Sequence, residues 1–230
     1  MKNAKIETLI VQFVNELRPH EVPLFRGAVI AALDEHKSEL FHNHRQEGFR
    51  YAYPMVQYKL INQQAAIVCV KEGVEAIGQF FATASLAMRL GEREVKLEID
   101  AIRPRTTQMQ IWDSAFRYRI NRWLPLNSKN FQEYQKIESL GERIAFLERI
   151  LVGNLLSLAK GVGITFEEQL TCRITSLSQP YTLRHKQTSL LSYNIEFTTN
   201  LSLPEYIGLG KNAALGYGVV TRRRDRNDNQ

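Results

Sequence analysis

The chain has 230 residues, of which 44% are hydrophobic, a length and composition that suit one large or two small globular domains. Lys and Arg number 30 against 24 Asp and Glu, which gives a formal net charge of +6 and favours a polyanionic partner without proving one. No apolar stretch is long enough to span a bilayer, and the N-terminus lacks the apolar core of a secretion signal, so we expect a cytoplasmic protein with no membrane partner.

The two cysteines, Cys69 and Cys172, lie in apolar strand-like runs. We expect both to be reduced core residues, as in a cytoplasmic protein. The sequence contains neither a C-x-x-C nor an H-x-x-x-H spacing. We therefore expect no metal site and no cofactor.

The first hundred residues alternate between strand-like and helix-like patterns. β-branched and apolar residues predict a strand over 5–14, and helical spacing with Pro23 near its start predicts a helix over about 23–34. Further along, the pattern predicts strands over 51–60 and 65–70, a helix over 73–88 and an alternating strand over 94–100. The order β-α-β-β-α-β is that of the ferredoxin-like unit, which is also the topology of the RNA-recognition motif.

A polar stretch, residues 101–115, is predicted to be a linker, so we divide the chain into domains 1–104 and 105–230. The second half then repeats part of the same order. The predicted elements are a strand over 116–121, a short helix capped by Asn127 or Ser128, a helix over about 142–160 preceded by a cap at Ser139, strands over 169–177 and 189–199, a basic hairpin tip at 181–187, and a last strand over 217–221. From Arg222 onwards we expect a polar tail.

Glycine is concentrated before that last strand, in the stretch IGLGKNAALGYGVV at residues 207–220. Free backbone N–H groups in such a loop can bind an anion, and Lys211 would add a positive charge. A simple glycine-rich turn has the same composition. The spacing excludes a P-loop, and the strand-like segment that follows excludes a dinucleotide fingerprint.

The order G-x-G, five residues, then G-aromatic-G resembles the glycine-rich loop of the RAMP proteins of CRISPR systems. The matching residues are Gly208, Gly210, Gly216, Tyr217 and Gly218. The chain looks most like the Cas-six group of endoribonucleases, which cut CRISPR repeat RNA. This resemblance implies an α+β fold of two tandem ferredoxin-like (RRM-like) domains with antiparallel sheets and a C-terminal glycine-rich loop.

A titratable segment lies between the first helix and the second strand. It contains His36, His42, His44 and Tyr51. Histidine transfers protons near neutral pH, and RNA can be cut without a metal when a base activates the 2′-OH and an acid protonates the leaving 5′ oxygen. A tyrosine hydroxyl can stabilise the phosphorane. A polar surface loop has the same composition, and an H-x-H pair can also bind a metal, although no third ligand is evident nearby.

The resemblance gives this segment a specific role. In one subgroup of the Cas-six family a histidine pair followed seven residues later by a tyrosine carries catalysis, and His42, His44 and Tyr51 have that order. It implies His44 as the proton-transfer residue, His42 as its partner or the alternate base, and Tyr51 as the phosphate orienter. Lys37 is the nearest lysine, but its position does not match securely.

Cations in the second half are candidates for a basic track along the RNA backbone. They are Arg117, Arg119, Arg122, Arg143, Arg149, Lys160, Arg184, His185 and Lys186. Each could equally be a solvated surface charge. The predicted RNA-binding set is Gly208, Gly210, Lys211, Gly216, Gly218, Arg143, Arg149, Arg184 and Lys186.

Three functions remain open at this point. The leading one is a metal-independent endoribonuclease that cuts CRISPR repeat transcripts into guide RNAs and, by resemblance, leaves 2′,3′-cyclic phosphate and 5′-hydroxyl ends. The alternative is a non-catalytic RAMP subunit that binds guide RNA in an effector complex. A protein that binds a small phosphate ligand is the third. The expected partner is repeat RNA, and an effector complex and a homodimer are left open.

Overall fold

The computed structural model describes residues 5–33, Phe41, 53–185 and 188–223, which form two compact units. The first unit comprises Lys5–Thr107 together with Ala214–Gly216. The second comprises Gln108–Ala213 and the chain from Tyr217 onwards. Within the described ranges, no helix has the length and apolar character needed to cross a membrane.

The first unit is built around one four-stranded sheet. In chain order its elements are β1 (Lys5–Glu16), α1 (Val22–Ala31), β2 (Val56–Ile61), β3 (Gln64–Val70), α2 (Glu72–Thr83), β4 (Ala87–Leu90), β5 (Arg93–Lys96) and β6 (Ile99–Gln108). The sheet has the order β2-β3-β1-β6, and β4 pairs with β5 in a separate hairpin. Without that hairpin, the unit has the β-α-β-β-α-β order of a ferredoxin-like domain.

Aromatic side chains from the sheet and the helices pack together within the largely aliphatic core of the first unit. Phe25 of α1 packs edge-on against Phe13 of β1 and Tyr58 of β2, with ring centroids 5.9 and 5.7 Å apart. Ile77 and Phe80 of α2 are also fully buried, at the three-residue spacing that places them on one helix face. The apolar periodicity of the sequence therefore corresponds to the buried faces of both helices.

The second unit has a second sheet of the same topology. Its elements are β7 (Ile111–Trp123), α3 (Ser128–Gln135), α4 (Leu140–Gly161), β8 (Cys172–Leu177), β9 (Tyr181–His185), β10 (Thr188–Leu201) and β11 (Val219–Arg222). The main path of the sheet is β11-β7-β10-β8, and β9 pairs with β10. The predicted fold class of two ferredoxin-like domains with antiparallel sheets is confirmed.

Both helices of the second unit begin at predicted caps. The side-chain oxygen of Asn127 accepts a hydrogen bond from the backbone N–H of Asn130 at 2.8 Å. Ser139 Oγ accepts one from the N–H of Glu142 at 3.5 Å. These bonds satisfy N–H groups that the first turn of a helix leaves without partners.

The prediction of one continuous strand over 94–100 is wrong, because residues 97–98 separate two strands there. Gly91 has a φ of +65° and allows a tight turn, so that β4 and β5 pair as a hairpin. The helix predicted to reach Met88 therefore ends at Thr83, and Met88 lies in β4. The fourth strand of the sheet, β6, begins only at Ile99.

The linker predicted at 101–115 is also wrong. Strands β6 and β7 fill most of it, and the connection between them is only two residues long. β6 lies at the edge of its sheet, and an edge strand tolerates proline and polar side chains, as at Pro104. Arg103 Nη1 donates a hydrogen bond to Gln12 Oε1 of β1 at 2.6 Å, which gives this polar side chain a partner on the sheet.

Two smaller predictions near the C-terminus differ from the structure as well. The segment 181–187, predicted as a hairpin tip, begins with strand β9, in which Tyr181 pairs with Ser192 of β10. The predicted tail starts too early, because Arg222 still belongs to β11. In both places strand pairing, which the local composition does not reveal, decides the structure.

Candidate functional site

The predicted catalytic segment falls largely outside the described residues. His42, His44, Tyr51 and Lys37 are all among the residues that the structure does not describe. Phe41, which directly precedes His42 in the sequence, is described and is only 2% exposed. Its ring packs against Phe80 of α2, with centroids 6.1 Å apart. The chain just before the histidine pair is thus held in the core of the first unit.

Backbone hydrogen bonds occupy much of the glycine-rich loop. Leu209 N–H donates to the carbonyl of Gly218 at 2.9 Å, and Lys211 N–H donates to the carbonyl of Leu124 at 3.0 Å. Gly218 N–H in turn donates to the carbonyl of Arg122 at 3.0 Å. These N–H groups cannot bind an anion at the same time. At these three positions, positive charge for an anion must therefore come from side chains.

Close packing explains why three of the four glycines are needed. A Cβ on Gly208 would lie 2.7 Å from the carbonyl oxygen of Ala213, and one on Gly210 would lie 2.9 Å from that of Leu124. At Gly218 a Cβ would lie 1.8 Å from the carbonyl oxygen of Leu209. Gly210 and Gly218 also have positive φ angles, +87° and +63°. Only glycine fits such positions.

The fourth glycine belongs to the first unit. The segment Ala214–Gly216 runs beside β2, where Tyr58 N–H donates to the carbonyl of Ala214 at 2.9 Å and Tyr58 forms a parallel bridge with Leu215. Gly216 has a φ of +77°, and a Cβ there would lie 3.4 Å from Val22 Cγ1. The loop therefore contributes three residues to the edge of the first sheet.

The arginines of α4 are held against aromatic rings. The guanidinium of Arg143 lies 5.4 Å from the ring centroid of Tyr134, and its Nε donates to the carbonyl of Ile137 at 2.7 Å. Arg149 is exposed, with its guanidinium 5.3 Å from the ring centroid of Phe146. Cation–π contacts of this kind hold a guanidinium in place.

Three other predicted RNA-binding residues differ in how well they are placed. Lys211 is exposed at the outside of the glycine-rich loop, although its backbone N–H is bonded. Arg184 is exposed on β9, opposite Ser189 of β10. Lys186 lies outside the described residues.

The second sheet has one exposed face that carries arginines. Along β7, Tyr118 and Ile120 are buried, whereas Arg117 and Arg119 are exposed. The helices cover the buried face, where Tyr193 of β10 donates to the hydroxyl of Tyr134 of α3 at 2.9 Å. Arginines of the helices and arginines of the exposed face therefore lie on different sides of the sheet.

A carboxylate neutralises part of that exposed face. Glu196 Oε1 of β10 lies 2.8 Å from Arg119 Nη2 and 3.5 Å from Arg223 Nε. Arg222 packs over the ring of Phe116 at 5.2 Å from its centroid. The sequence interpretation assigned Arg222 and Arg223 to a tail and missed both contacts, because nothing in the composition shows that this end of the chain pairs with β7.

Arg122 differs from its neighbours on β7. It has a φ of +53° and lies where the pairing of β7 with β10 shifts register. Its guanidinium lies 4.6 Å from the ring centroid of Tyr217, in the G-aromatic-G part of the loop. The sequence holds a signal for this irregularity: Ile120 and Trp123 are both apolar at a spacing of three, which breaks the alternation of a regular strand.

Burial shifts the protonation of one lysine strongly. Lys59 of β2 has no exposed surface, and burial lowers the pKa of its ammonium to about 7. A side chain without exposed surface cannot neutralise a phosphate in this structure. Within the described ranges, no three His, Cys, Asp or Glu side chains come together as a metal-binding group.

Two ferredoxin-like units with a glycine-rich loop before the last strand define a RAMP-type protein. The chain matches the family models of the Cas6b N-terminal domain over residues 4–108 and of the Cas6b C-terminal domain over residues 110–223. The chain therefore belongs to the Cas6b family, and the predicted resemblance to the Cas-six group is confirmed.

Two solved Cas6b structures agree with this assignment, and the chain is also similar in sequence to one further protein. A crystal structure of Cas6b is 26% identical with a TM-score of 0.86, and the match covers 95% of this chain and 100% of that chain. A crystal structure of the CRISPR RNA processing endoribonuclease Cas6b shares the fold at 23% identity, with a TM-score of 0.74 and the same coverage. An uncharacterized protein of Methanocaldococcus jannaschii is 32% identical over 111 residues, which are 48% of this chain and 74% of that protein.

Proposed function

We propose that this protein is a metal-independent endoribonuclease that cuts CRISPR repeat transcripts into guide RNAs. The observation that carries the proposal is the match of both halves of the chain to the Cas6b domains. A similar fold occurs in a CRISPR RNA processing endoribonuclease. Repeat RNA is the proposed partner, and a cytoplasmic location, where transcripts are made, is part of the proposal.

The proposed chemistry rests on the histidine segment. His44 transfers a proton, His42 is its partner or the alternate base, and Tyr51 orients the scissile phosphate. A base takes the proton of the 2′-OH as its oxygen attacks the adjacent phosphate, the bond to the 5′ oxygen breaks, and an acid gives the leaving oxygen a proton. The products are a 2′,3′-cyclic phosphate and a 5′-hydroxyl. Phe41, buried against Phe80, supports the proposal because it anchors the chain directly before His42.

Side chains rather than loop amides are proposed to bind the RNA backbone. Arg149, Arg184 and Lys211 are exposed cations of the second unit, as phosphate contacts require. Arg143 and Lys186 complete the proposed set of cations. The glycines of the loop contribute by holding Lys211 at the surface, since the N–H groups of Leu209, Lys211 and Gly218 are bonded within the unit.

Single-turnover cleavage of the cognate repeat RNA in EDTA tests the proposal. We expect His44→Ala to slow cleavage by roughly 10²–10⁴-fold, the usual contribution of a positioned acid or base. RNA affinity should change little, because a neutral imidazole contributes little to backbone neutralisation. His42→Ala should also slow cleavage, with a double mutant less than additive if the pair acts as a unit.

Matched controls make the outcome specific. His20 is an exposed histidine outside the segment, so His20→Ala should cleave at the wild-type rate. Tyr51→Phe tests the hydroxyl alone, and a 2′-deoxy sugar at the cut should abolish cleavage because the nucleophile is missing. Cleavage of the deoxy substrate, or a strict need for a divalent metal, contradicts the mechanism. Tight RNA binding without cleavage of any cognate repeat would instead identify a non-catalytic RAMP subunit.

A further inference from the structure

Arg122 occupies an unusual backbone position inside a strand. Among the described residues that are not glycine and have a positive φ, it is the one that lies within a strand. The register of β7 against β10 changes between the pairs Ile120–Ile195 and Trp123–Tyr193, so β7 carries one extra residue there. Such a bulge redirects a side chain, and a positive φ is strained for arginine.

Neighbouring groups lock this bulge from two sides. Arg122 N–H donates to Asn194 Oδ1 at 2.9 Å, and Tyr181 hydroxyl donates to the same oxygen at 3.1 Å. On the other side the carbonyl of Arg122 accepts a hydrogen bond from Gly218 N–H at 3.0 Å. β9, β10 and the glycine-rich loop thus fix one backbone conformation at Arg122.

The guanidinium of Arg122 has no carboxylate partner among the described residues. Arg119 and Arg223 share Glu196, and Arg173 lies 3.2 Å from Glu148. Arg122 instead lies 4.6 Å from the ring centroid of Tyr217 and makes no side-chain hydrogen bond within the described part of the chain. A guanidinium stacked on a ring keeps the N–H donors at its edge available, in the fork geometry that matches a phosphate.

We propose that Arg122, in addition to Lys211, binds an RNA phosphate at the glycine-rich loop. The N–H groups of Leu209, Lys211 and Gly218 are bonded within the unit, so at these three positions only a side chain can offer positive charge to an anion. Arg122 supplies that charge from the neighbouring strand, held by the bulge and by Tyr217. This assignment rests on the proposed RNA-processing function and adds a second cation that positions the substrate backbone beside the loop.

Arg122→Gly is the sharpest test, because glycine adopts a positive φ without strain and removes only the side chain. Binding is measured against salt concentration, on repeat RNA that carries a 2′-deoxy sugar at the mapped cleavage site. We expect affinity at low salt to fall roughly tenfold and the slope of log K against log salt to become shallower by about 0.7–0.9, as for one lost phosphate contact. The affinity of Arg122→Lys should lie between those of the wild-type protein and Arg122→Gly, since lysine keeps the charge but lacks the planar fork.

Arg93→Ala serves as the charge-matched control. Arg93 lies on β5, where its Nη2 is 2.6 Å from Glu21 Oε1. This variant also removes one positive charge, and it should leave affinity and slope close to wild type. An equal loss in both variants would show a general charge effect and overturn the assignment.

A scan with neutral methylphosphonate linkages locates the contact. Neutralising one particular linkage should weaken RNA binding by the wild-type protein and should cause no further loss of affinity in Arg122→Gly. Weaker binding with an unchanged salt slope would indicate base stacking instead and overturn the phosphate assignment. Unchanged affinity and slope in a folded Arg122→Gly protein would overturn it while leaving the proposed function intact. If the wild-type protein neither binds nor cuts repeat RNA, the proposed function fails and this inference with it.

Discussion

At the scale of single residues, backbone geometry decides which glycines of the loop can be replaced. Gly218 combines a φ of +63° with a Cβ position only 1.8 Å from the carbonyl oxygen of Leu209. Leu209 N–H is itself bonded to the carbonyl of Gly218, so the two segments cannot separate without losing that bond. Gly153 on α4 has no atom within 4 Å of a Cβ position and an ordinary helical environment.

Alanine at these two glycines should have opposite effects on stability. Gly218→Ala should lower the free energy of unfolding by about 2–4 kcal/mol, from backbone strain and steric overlap together. Gly153→Ala should raise it by about 0.5–1 kcal/mol, because alanine is the better helix former. Urea unfolding followed by circular dichroism measures both. A Gly218→Ala protein as stable as wild type would contradict the close contact with Leu209.

The sequence shows where the glycines lie but not which contacts require a glycine there. Trp123 and Leu124 surround Gly210, and more than eighty residues of chain separate them from it. Arg122 was predicted as one cation among many, and only the pairing of β7 with β10 shows that it lies in a bulge. Long-range contacts of this kind leave little trace in a single sequence.

At the scale of elements, the starts of α3 and α4 rest on different capping bonds. Asn127 accepts its hydrogen bond at 2.8 Å, whereas the bond to Ser139 is 3.5 Å long. Hydrogen bonds weaken near that longer distance. The two N-caps therefore should not contribute equally to stability.

Asn127→Ala should lower the free energy of unfolding by about 1 kcal/mol, the usual cost of losing an N-cap. Ser139→Ala should cost less, because its bond is at the limit of hydrogen-bonding distance. Asn127→Asp keeps the acceptor oxygen and is the control that should retain wild-type stability. Thermal unfolding of the three variants gives the ranking, and a larger loss at Ser139 than at Asn127 would contradict it.

Elements with strong periodicity were predicted well, whereas the edge strand β6 and the β4–β5 hairpin were not. α1 and α4 carry apolar residues at helical spacing and were found close to their predicted positions. β6 was missed because an edge strand pairs on one side only and carries the polar sequence around Pro104. The β4–β5 hairpin was missed because β4 begins at Ala87, only a few residues after the end of α2 at Thr83, which the pattern did not mark.

At the scale of the whole molecule, buried titratable groups link stability to pH. Burial lowers the pKa of Lys59 to about 7, against 10.5 in the unfolded chain. Burial acts in the opposite direction on acids: it raises the pKa of the Cys172 thiol to about 12 and also raises the pKa of Tyr58. Unfolding therefore takes up a proton at Lys59 above pH 7 and releases protons from thiols and tyrosines at higher pH.

The free energy of unfolding should rise from about pH 7 to about pH 9. In that window the unfolded state holds a proton on Lys59 that the folded state does not. Above about pH 9–10 stability should fall, because the folded state keeps cysteine and tyrosine protons that the unfolded chain loses. Urea unfolding at a series of pH values measures the profile.

Lys59→Met should remove the rise in the free energy of unfolding between about pH 7 and about pH 9 and leave the fall above about pH 9–10. Lys96 is an exposed lysine on β5, and Lys96→Met should keep the wild-type profile. A Lys59→Met protein with an undiminished rise would show that another group causes it.

The tandem ferredoxin-like architecture could be predicted because the first half carries the full order of patterns and the second half repeats part of it, and because the loop residues from Gly208 to Gly218 resemble those of RAMP proteins. The position of Ala214–Gly216 in the first unit could not be predicted, since it depends on pairing with β2, which is distant in the sequence. The roles of His42, His44 and Tyr51 stay predictions, because these residues lie outside the described ranges.

The membership of Ala214–Gly216 in the first unit has a consequence for biosynthesis. On the ribosome, the other residues of that unit emerge about a hundred residues before these three, which at usual rates of synthesis is roughly 5–20 s earlier. During that interval the outer edge of β2 lacks the neighbour to which Tyr58 N–H donates its hydrogen bond. An open sheet edge recruits other strands. The nascent chain therefore passes through a period in which shielding of that edge, by a chaperone or by low local concentration, decides whether it folds or aggregates.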